Sequence, residues 1–563
     1  MSEKITDTAG PGQAPLAPAT SPDSGFDASK HADLVDMTVN ARRAAEKERG
    51  MTLMQGLRLY PKAAAWSMLI SMCIVMEGFQ VCLTPNLINL QSFASKFGQL
   101  NNKGVYEVEA KWIAGLTNGA TVGQIIGLFI AGIVAERIGY RYTVIIALVW
   151  TTAFLTLFVT ANNLTTLLMG EILCGLPWGA FQTICISYAA EVCPIALRGY
   201  LTCFVNCCWG IGQVIGIGVI KAQADRNDMG HWSWRLPYAL QWMWPVPLAI
   251  GVFFAPESPW WLVRRGRLED AKKNLLRLTS LNRDTEFDAD ETIDMMRHTT
   301  ELEQEITAGA SYLDCFKGVD LRRTEIVAMT WAIQNLSGNS FSGYSAYFLT
   351  KAGVSPSHSY SFALGQYSIN IVGVFGAWAL MAWGIGRRRL YVGGLACLCV
   401  ALFIMGFLGL VPKSHRDSGA MATGAMMIIW AACYQLTVGS VCYSLVAELS
   451  TRRLQIKTVV IGRMAYNVIA IICNILTPYM LNESAWNWGN FAGFFWGGSC
   501  FLSLVYAYFR IPEPRGRTFA EIDVLFERKV SARKFESTKV DPFEVHLDEK
   551  RHSVSHVELP HKA

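Results

Sequence analysis

The stretch VMEGFQVCL (75–83) places a carboxylate, Glu77, inside an apolar run that begins near residue 63. A charge at the centre of a bilayer costs about 2.5–3.5 kcal/mol on insertion scales, so an acid there marks a proton or ion path, a structural ion pair or a headgroup-level helix end. The clearest cation within another apolar run is Arg463, in VVIGRMAYN. A second acid, Glu171, opens EILCGLPWG and is expected nearer a helix end. Desolvation raises the proton affinity of such an acid and a nearby cation lowers it. Glu77 moving relative to Arg463, or losing water, would therefore bind a proton on one side and release it on the other. A static Glu77–Arg463 pair, or a direct hydrogen bond from Glu77 to a ligand, are the alternatives. The second constellation is QNLSGNSFSGYSAYF (334–348). Asn335, Asn339 and Ser342 recur there at i, i+4 and i+7 and share one helix side, bordered by Gln334 and Gly338. So many amides in lipid are costly unless they face protein or a wet cavity.

The elements that must hold these groups are membrane helices. Of 563 residues, 52% are hydrophobic and 17% charged, with mean hydropathy +0.27; a soluble chain carries about 25% charge. The apolar residues fall in blocks of about 20, the length that spans a hydrocarbon core. Twelve spans are predicted near 62–86, 112–135, 142–160, 165–190, 200–221, 236–255, 323–349, 361–385, 389–411, 420–447, 456–480 and 488–510. Residues 1–50 are polar and hold no apolar signal core, so the first helix is expected to act as its own signal. The 15 cysteines are scattered mostly through the spans without metal or disulfide spacing and read as small buried apolar residues. A net charge of +5 says little about nucleic acid, and no nucleic-acid partner is expected.

The distribution of charge says more. Basic residues cluster in alternate loops: ERIGYRY (136–142), ALRGY (196–200), 262–323, GRRRL (386–390) and STRRLQIK (450–457). The positive-inside rule makes these loops and both termini cytoplasmic. On the outer side Asn163 and Asn482 stand in glycosylation sequons within very short loops; Asn335, also in a sequon, lies within a span. The hydrophilic segment 256–322 divides the chain into a tail (1–60), a six-helix half (61–255), a linker, a second half (323–511) and a tail (512–563). RLEDAKKNLLRL (267–278) and ETIDMMRHTTELEQEI (291–306) within the linker have helical apolar spacing, and both tails are expected to be mostly disordered. The halves echo each other: AEVCPIALRGYL (190–201) matches AELSTRRLQIKT (447–458), and ERIGYRY matches GIGRRRLY. Such repeats, with binding at their interface, mark secondary transporters.

PESPWWL (256–262), PEPRGRTFAEID (512–523) and EVCPIALR, with Glu191 and Arg198 seven apart, resemble the sugar porter family of the major facilitator superfamily over about residues 60–527. MEGF, CGLPWGAFQT, YAAEVCPIALRGYLTCFVN and QNLSGNSFSGYSAYF look most like fungal maltose/α-glucoside permeases. The resemblance implies an all-α membrane protein of twelve helices in two pseudo-symmetric halves. It implies import of a maltose-like α-glucoside with protons by alternating access, at the plasma membrane. The expected partners are sugar, protons and the bilayer. A functional monomer, no cofactor beyond the proton gradient, and no enzymatic activity are expected. The chain departs from the family at Tyr140, Trp383 and Gln455. It also carries Gln80 where many proton-coupled members place an Asp, which leaves Glu77 as the remaining acid of helix one.

A sugar needs aromatic faces and hydrogen-bonding amides. Family sugar contacts map by motif to Gln334 and Asn335, to Asn206 and Gln213 in helix five, and to Tyr443 in helix ten. Ser340 stands where the family motif has Asn. Asn370 joins by polarity and position, and Trp178, Gln182, Tyr344, Tyr347 and Asn467 would complete a larger pocket. Arg137, Glu191, Arg198, Arg387, Glu448 and Arg453 are candidates for cytoplasmic charge clusters that hold the halves together when the inner gate is shut. A facilitative carrier, a non-transporting sugar sensor and a membrane enzyme are the competing functions. The tails are short for a sensor, and no nucleotide, zinc or nucleophile–His–acid motif supports an enzyme.

Overall fold

A computed structural model describes residues 43–44, 47, 51–100, 104–224, 230, 232–280, 287–307, 311–412, 416–451, 454–515, 517 and 519–538. The chain is an all-α membrane protein of twelve spans in two six-helix halves. Ten helices among the described residues are long and apolar enough to cross a bilayer. They are spans one to five (Pro61–Leu87, Ala110–Ile138, Tyr140–Thr160, Leu164–Val192, Phe204–Ala224) and eight to twelve (Pro356–Met381, Arg387–Leu408, Ser418–Leu449, Lys457–Leu481, Gly489–Arg510). The other two spans are interrupted. Span six runs as Trp232–Ala239, a 3-10 turn at Leu240–Met243, and Pro245–Phe254, with prolines at 237 and 245 withdrawing backbone donors. Span seven runs as Gly318–Gln334, a π segment Asn335–Asn339, Ser340–Gly343 and Ser345–Ala352. Its break centres on Gly338, whose φ of 102° is open chiefly to glycine. Spans seven and eight begin five residues earlier than hydropathy predicts, because their first turns are polar.

The repeated motifs do the same work in both halves. Glu257, after span six, accepts the N–H groups of Tyr140 and Arg141, each at 3.1 Å, at the start of span three. Glu513, after span twelve, accepts those of Arg387 and Arg388, each at 3.0 Å, at the start of span nine. A carboxylate there satisfies donors that the helix leaves unpaired and suits its positive end. The PES and PEP motifs thus close each half by capping its third helix.

Spans two and four pack through a stripe of small residues, which lets backbones approach without side chains between them. A Cβ built on Gly127 would stand 2.0 Å from the Leu176 carbonyl oxygen.

The linker forms the predicted helices at Leu268–Leu278 and Ala289–Thr307, and an additional short one at Pro259–Arg264. Two stretches expected to be disordered are packed. Leu53–Leu59 is a helix with a Thr52/Gln55 capping box, and Phe535 is fully buried with its ring 5.1 Å from that of Phe526. Residues 1–42 and 539–563 of the tails, and Arg453, lie outside the described residues. Twelve of the fourteen described cysteines are buried, as small apolar residues would be.

The bonds that join the halves cluster on the face opposite the linker. Glu107 accepts from the Tyr347 hydroxyl at 2.9 Å and pairs with Lys351 at 2.7 Å. Nearby, Tyr344 donates to Thr117 at 2.9 Å, Asn89 to Thr350 at 2.7 Å and Asn118 to the Ile471 carbonyl at 3.3 Å. Asn482 is fully buried and donates its amide to the Val108 carbonyl at 2.9 Å. That weighs against a glycan at this sequon, because the nitrogen a glycan would occupy is engaged. The Asn163 side chain caps span four through its oxygen and stays exposed.

Candidate functional site

A cavity of about 290 Å³ lies between the halves, lined by spans one, two, four, five, seven, eight, ten and eleven. Glu77, Gln80 and Thr84 project into it from one side of span one, at helical spacing of three and four. Span four contributes Glu171, Trp178 and Gln182, and span five Asn206 and Gln213. From the other half come Gln334, Asn335 and Asn339 of span seven, Asn370 of span eight, Tyr443 of span ten, and Arg463 with Asn467 of span eleven. Apart from Tyr347, every substrate and proton candidate named above lines this one space. Tyr344 lines it too. Tyr347 does not: its hydroxyl is spent on Glu107.

The amides divide into engaged and unengaged. Gln334 donates to the Gly439 carbonyl at 3.2 Å and so links the π segment of span seven to a second one in span ten, Gln435–Gly439. Asn335 donates to the Tyr466 carbonyl at 3.2 Å and accepts from Ser340 at 3.1 Å. Gln334 thus partners a carbonyl of a π segment, where the ladder leaves acceptors short of donors, and Asn335 ties the π segment of span seven to span eleven. Ser340, the departure from the family motif, thus serves Asn335. By contrast, the side-chain amides of Asn206, Gln213, Asn339 and Asn370 make no hydrogen bond to protein among the described residues, and all four line the cavity. Aromatic faces accompany them: Trp178 is fully buried, and Tyr443 stands edge-on to Trp331 with centroids 4.9 Å apart.

Two buried carboxylates share the cavity with different partners. Glu77 Oε1 accepts from Gln182 Nε2 at 2.6 Å and Gln124 Nε2 at 3.2 Å. Arg463 donates to Gln182 Oε1 at 3.1 Å and lies over the rings of Tyr466 and Trp331, 4.7 and 5.0 Å from their centroids. The static Glu77–Arg463 pair, one of the alternatives above, is not formed directly; a chain through the Gln182 amide stands in its place. Gln182 belongs to this chain, so its expected place among the sugar contacts gives way to a bridging position. Glu171 is not at a helix end in contact with headgroups. It is buried and accepts from Thr84 at 2.5 Å and Gln80 at 3.0 Å, with no cation in its hydrogen-bond set. Gln80 also accepts from Gln241 of span six.

At the linker face Glu191 pairs with Arg264 at 2.6 Å and accepts from Tyr140 at 2.9 Å and from Ser258. Glu448 pairs with Arg387 at 2.8 Å and accepts from Ser444 at 3.2 Å. Each cluster is contained in its own half or its adjoining linker. The cation on Glu191 comes from the linker rather than from Arg198, which is half-buried. Arg137 is exposed at the end of span two and forms no ion pair among the described residues. Sequence reasoning missed Arg264, Gln124 and Thr84. The signal for Gln124 was present, as a polar residue in an apolar run; Arg264 looked like one topogenic charge among many.

Known proteins resemble this chain over most of its length. The chain is 42% identical over 528 residues to the alpha-glucosides permease MPH3 of Saccharomyces cerevisiae, covering 93% of this chain and 87% of that one. It is 42% identical over 515 residues to the maltose permease MAL31 of the same yeast, covering 91% and 83%. Among solved structures, the inward open xylose transporter XylE from E. coli superposes with a TM-score of 0.67 at 18% identity, over 82% of this chain and 99% of that one; at this identity the likeness is one of fold. The model of the sugar (and other) transporter family matches residues 66–526, which takes in both six-helix halves and the whole cavity, and the chain belongs to that family.

Proposed function

We propose that this chain imports an α-glucoside of maltose type together with protons, by alternating access across the plasma membrane. The reading rests on one observation above all: amides free of protein partners, on spans five, seven and eight, face one cavity between the halves together with two carboxylates. A sugar's hydroxyl rim needs such donors and acceptors, and the names of the yeast relatives supply the sugar class. The cavity is complete within one chain, which supports action as a monomer, and the reading calls for no cofactor besides the proton gradient. The positive-inside rule sets the linker face and both termini in the cytoplasm. On that orientation the bonds through Glu107, Tyr344 and Asn482 close the outer side, and the form described faces inward. The Glu191–Arg264 and Glu448–Arg387 clusters would then re-pair between halves, with Arg137, Arg198 and Arg453 nearby, when the inner side closes. A facilitative carrier is the second reading, favoured by Gln80 in the place where the resemblance implies an Asp.

The test is uptake of labelled maltose, trehalose and sucrose by purified protein in liposomes, with and without a pH gradient and an uncoupler. Gradient-dependent accumulation of an α-glucoside supports symport; equilibration alone supports the facilitative reading; no uptake of any sugar overturns both. Within that assay, Gln213→Ala and Asn339→Ala are each expected to raise the KM for the transported sugar. Loss of one buried hydrogen bond costs about 1–3 kcal/mol, or roughly 5- to 150-fold. An unchanged KM in both would remove the unengaged amides from the sugar site.

A further inference from the structure

The chain Glu77–Gln182–Arg463 crosses from the first half to the second, and its middle member is an amide with one donor end and one acceptor end. Gln182 gives its NH₂ to Glu77 at 2.6 Å and its carbonyl to Arg463 at 3.1 Å. An ionised carboxylate only accepts and a guanidinium only donates, so this is the one orientation of the amide that satisfies both neighbours. We propose that Gln182 is a positioning residue that makes the Arg463 contact between the halves depend on the charge of Glu77. The inference rests on the proton-coupled reading above and adds how the proton would act on the conformational change.

The step follows from hydrogen-bond chemistry. Glu77 Oε2 is buried and has no hydrogen-bond partner among the described residues, so it is the oxygen free to take a proton. The proton removes the charge that strengthens the Gln182 bond, and charge-assisted hydrogen bonds are about twice as strong as neutral ones. Half a turn about the Cγ–Cδ bond of Glu77 brings the new carboxyl O–H to Gln182, where it donates to the amide oxygen and favours the reverse orientation. In that orientation the amide NH₂ faces the Arg463 guanidinium, donor against donor, and the hydrogen bond between span four and span eleven is lost. Release of the proton restores it. Nothing is oxidised or reduced, and no covalent bond other than the carboxyl O–H forms or breaks.

Other groups around Glu77 do not provide the same switch. Span two offers Gln124 and span five Trp209, neither of which titrates in the working range. Span four also carries Cys185, whose thiol is buried and donates to the Ile70 carbonyl, and Glu171, which is held by Thr84 and Gln80. Arg463 is the cation that span eleven turns to the cavity, and the aromatic rings of Trp331 and Tyr466 hold it from its own half. Gln182 is therefore the direct hydrogen-bonded link from the acid to that cation.

The experiment uses the full chain in liposomes, with labelled maltose and three measurements: accumulation under an inward pH gradient, counterflow at equal pH on both sides, and the pH profile of counterflow. Gln182→Met keeps the length of the side chain and removes both hydrogen bonds; Gln182→Asn keeps both groups on a shorter stem and serves if the first variant does not fold. The expected result is that accumulation collapses and the pH profile flattens while counterflow persists, and that counterflow by Glu77→Gln/Gln182→Met is no slower than by Glu77→Gln alone. A raised KM for maltose with accumulation intact would overturn the inference and return Gln182 to the sugar contacts. Additive losses in the double variant would also overturn it. Wild-type protein that fails to accumulate maltose under the gradient would instead defeat the proton-coupled reading itself.

Discussion

Glu77→Gln is expected to abolish uphill accumulation of sugar while leaving counterflow measurable. The substitution keeps the shape of the side chain and an oxygen able to accept from Gln182 and Gln124, which now hold Glu77 Oε1 at 2.6 and 3.2 Å. What it removes is the charge that changes with protonation. A gradient of about one pH unit stores about 1.4 kcal/mol per proton, which sustains roughly tenfold accumulation for one proton per sugar. The variant should bring that ratio to unity. The measurement is labelled maltose inside liposomes at steady state, with an internal acid–external acid control. Wild-type accumulation by the variant would remove Glu77 from the proton path and turn attention to Glu171, the cavity's other buried carboxylate. Loss of counterflow as well, in folded protein, would make Glu77 a structural or sugar-contacting group.

Gly127→Val is expected to lose most of the folded protein. No side chain fits at this position: a Cβ would meet the Leu176 carbonyl oxygen at 2.0 Å, and a β-branched residue adds two further carbons. The obstacle is backbone, which cannot rotate away as a side chain could, so spans two and four must separate. Overpacking alone costs about 1–3 kcal/mol where side chains can yield, and here they cannot. The same helices carry Gln124 on one side and Glu171 and Gln182 on the other, so any variant that does fold should also lose proton-driven accumulation. Size-exclusion profiles of tagged protein in mild detergent give the first readout. A monodisperse peak at wild-type yield would show that the interface tolerates separation.

The sequence alone was enough for the membrane class, the twelve spans, the two halves and most of the residues that meet in the cavity, though not Thr84 or Gln124. Each of these depends on local composition or spacing: blocks of about 20 apolar residues, basic loops in alternation, amides recurring on one helix side. It was also enough to single out Glu77, since an acid in an apolar run is conspicuous without any fold. What it could not supply was which polar atoms remain free once the helices pack. Asn335 and Asn339 are equivalent in the helical pattern, yet Asn335 is spent on the Tyr466 carbonyl and Ser340 while Asn339 keeps its amide for the cavity. A direct Glu77–Arg463 pair was one of the readings open to the sequence, but a side chain from span four stands between them. The sequence left the sequon at Asn482 open, and the packed structure puts its nitrogen on the Val108 carbonyl of the other half. Hydrogen-bond partners far apart in the chain are set by how helices approach and rotate against one another. That depends on close backbone contacts such as Gly127 against Leu176 and on breaks such as Gly338, and only the tertiary structure decides it.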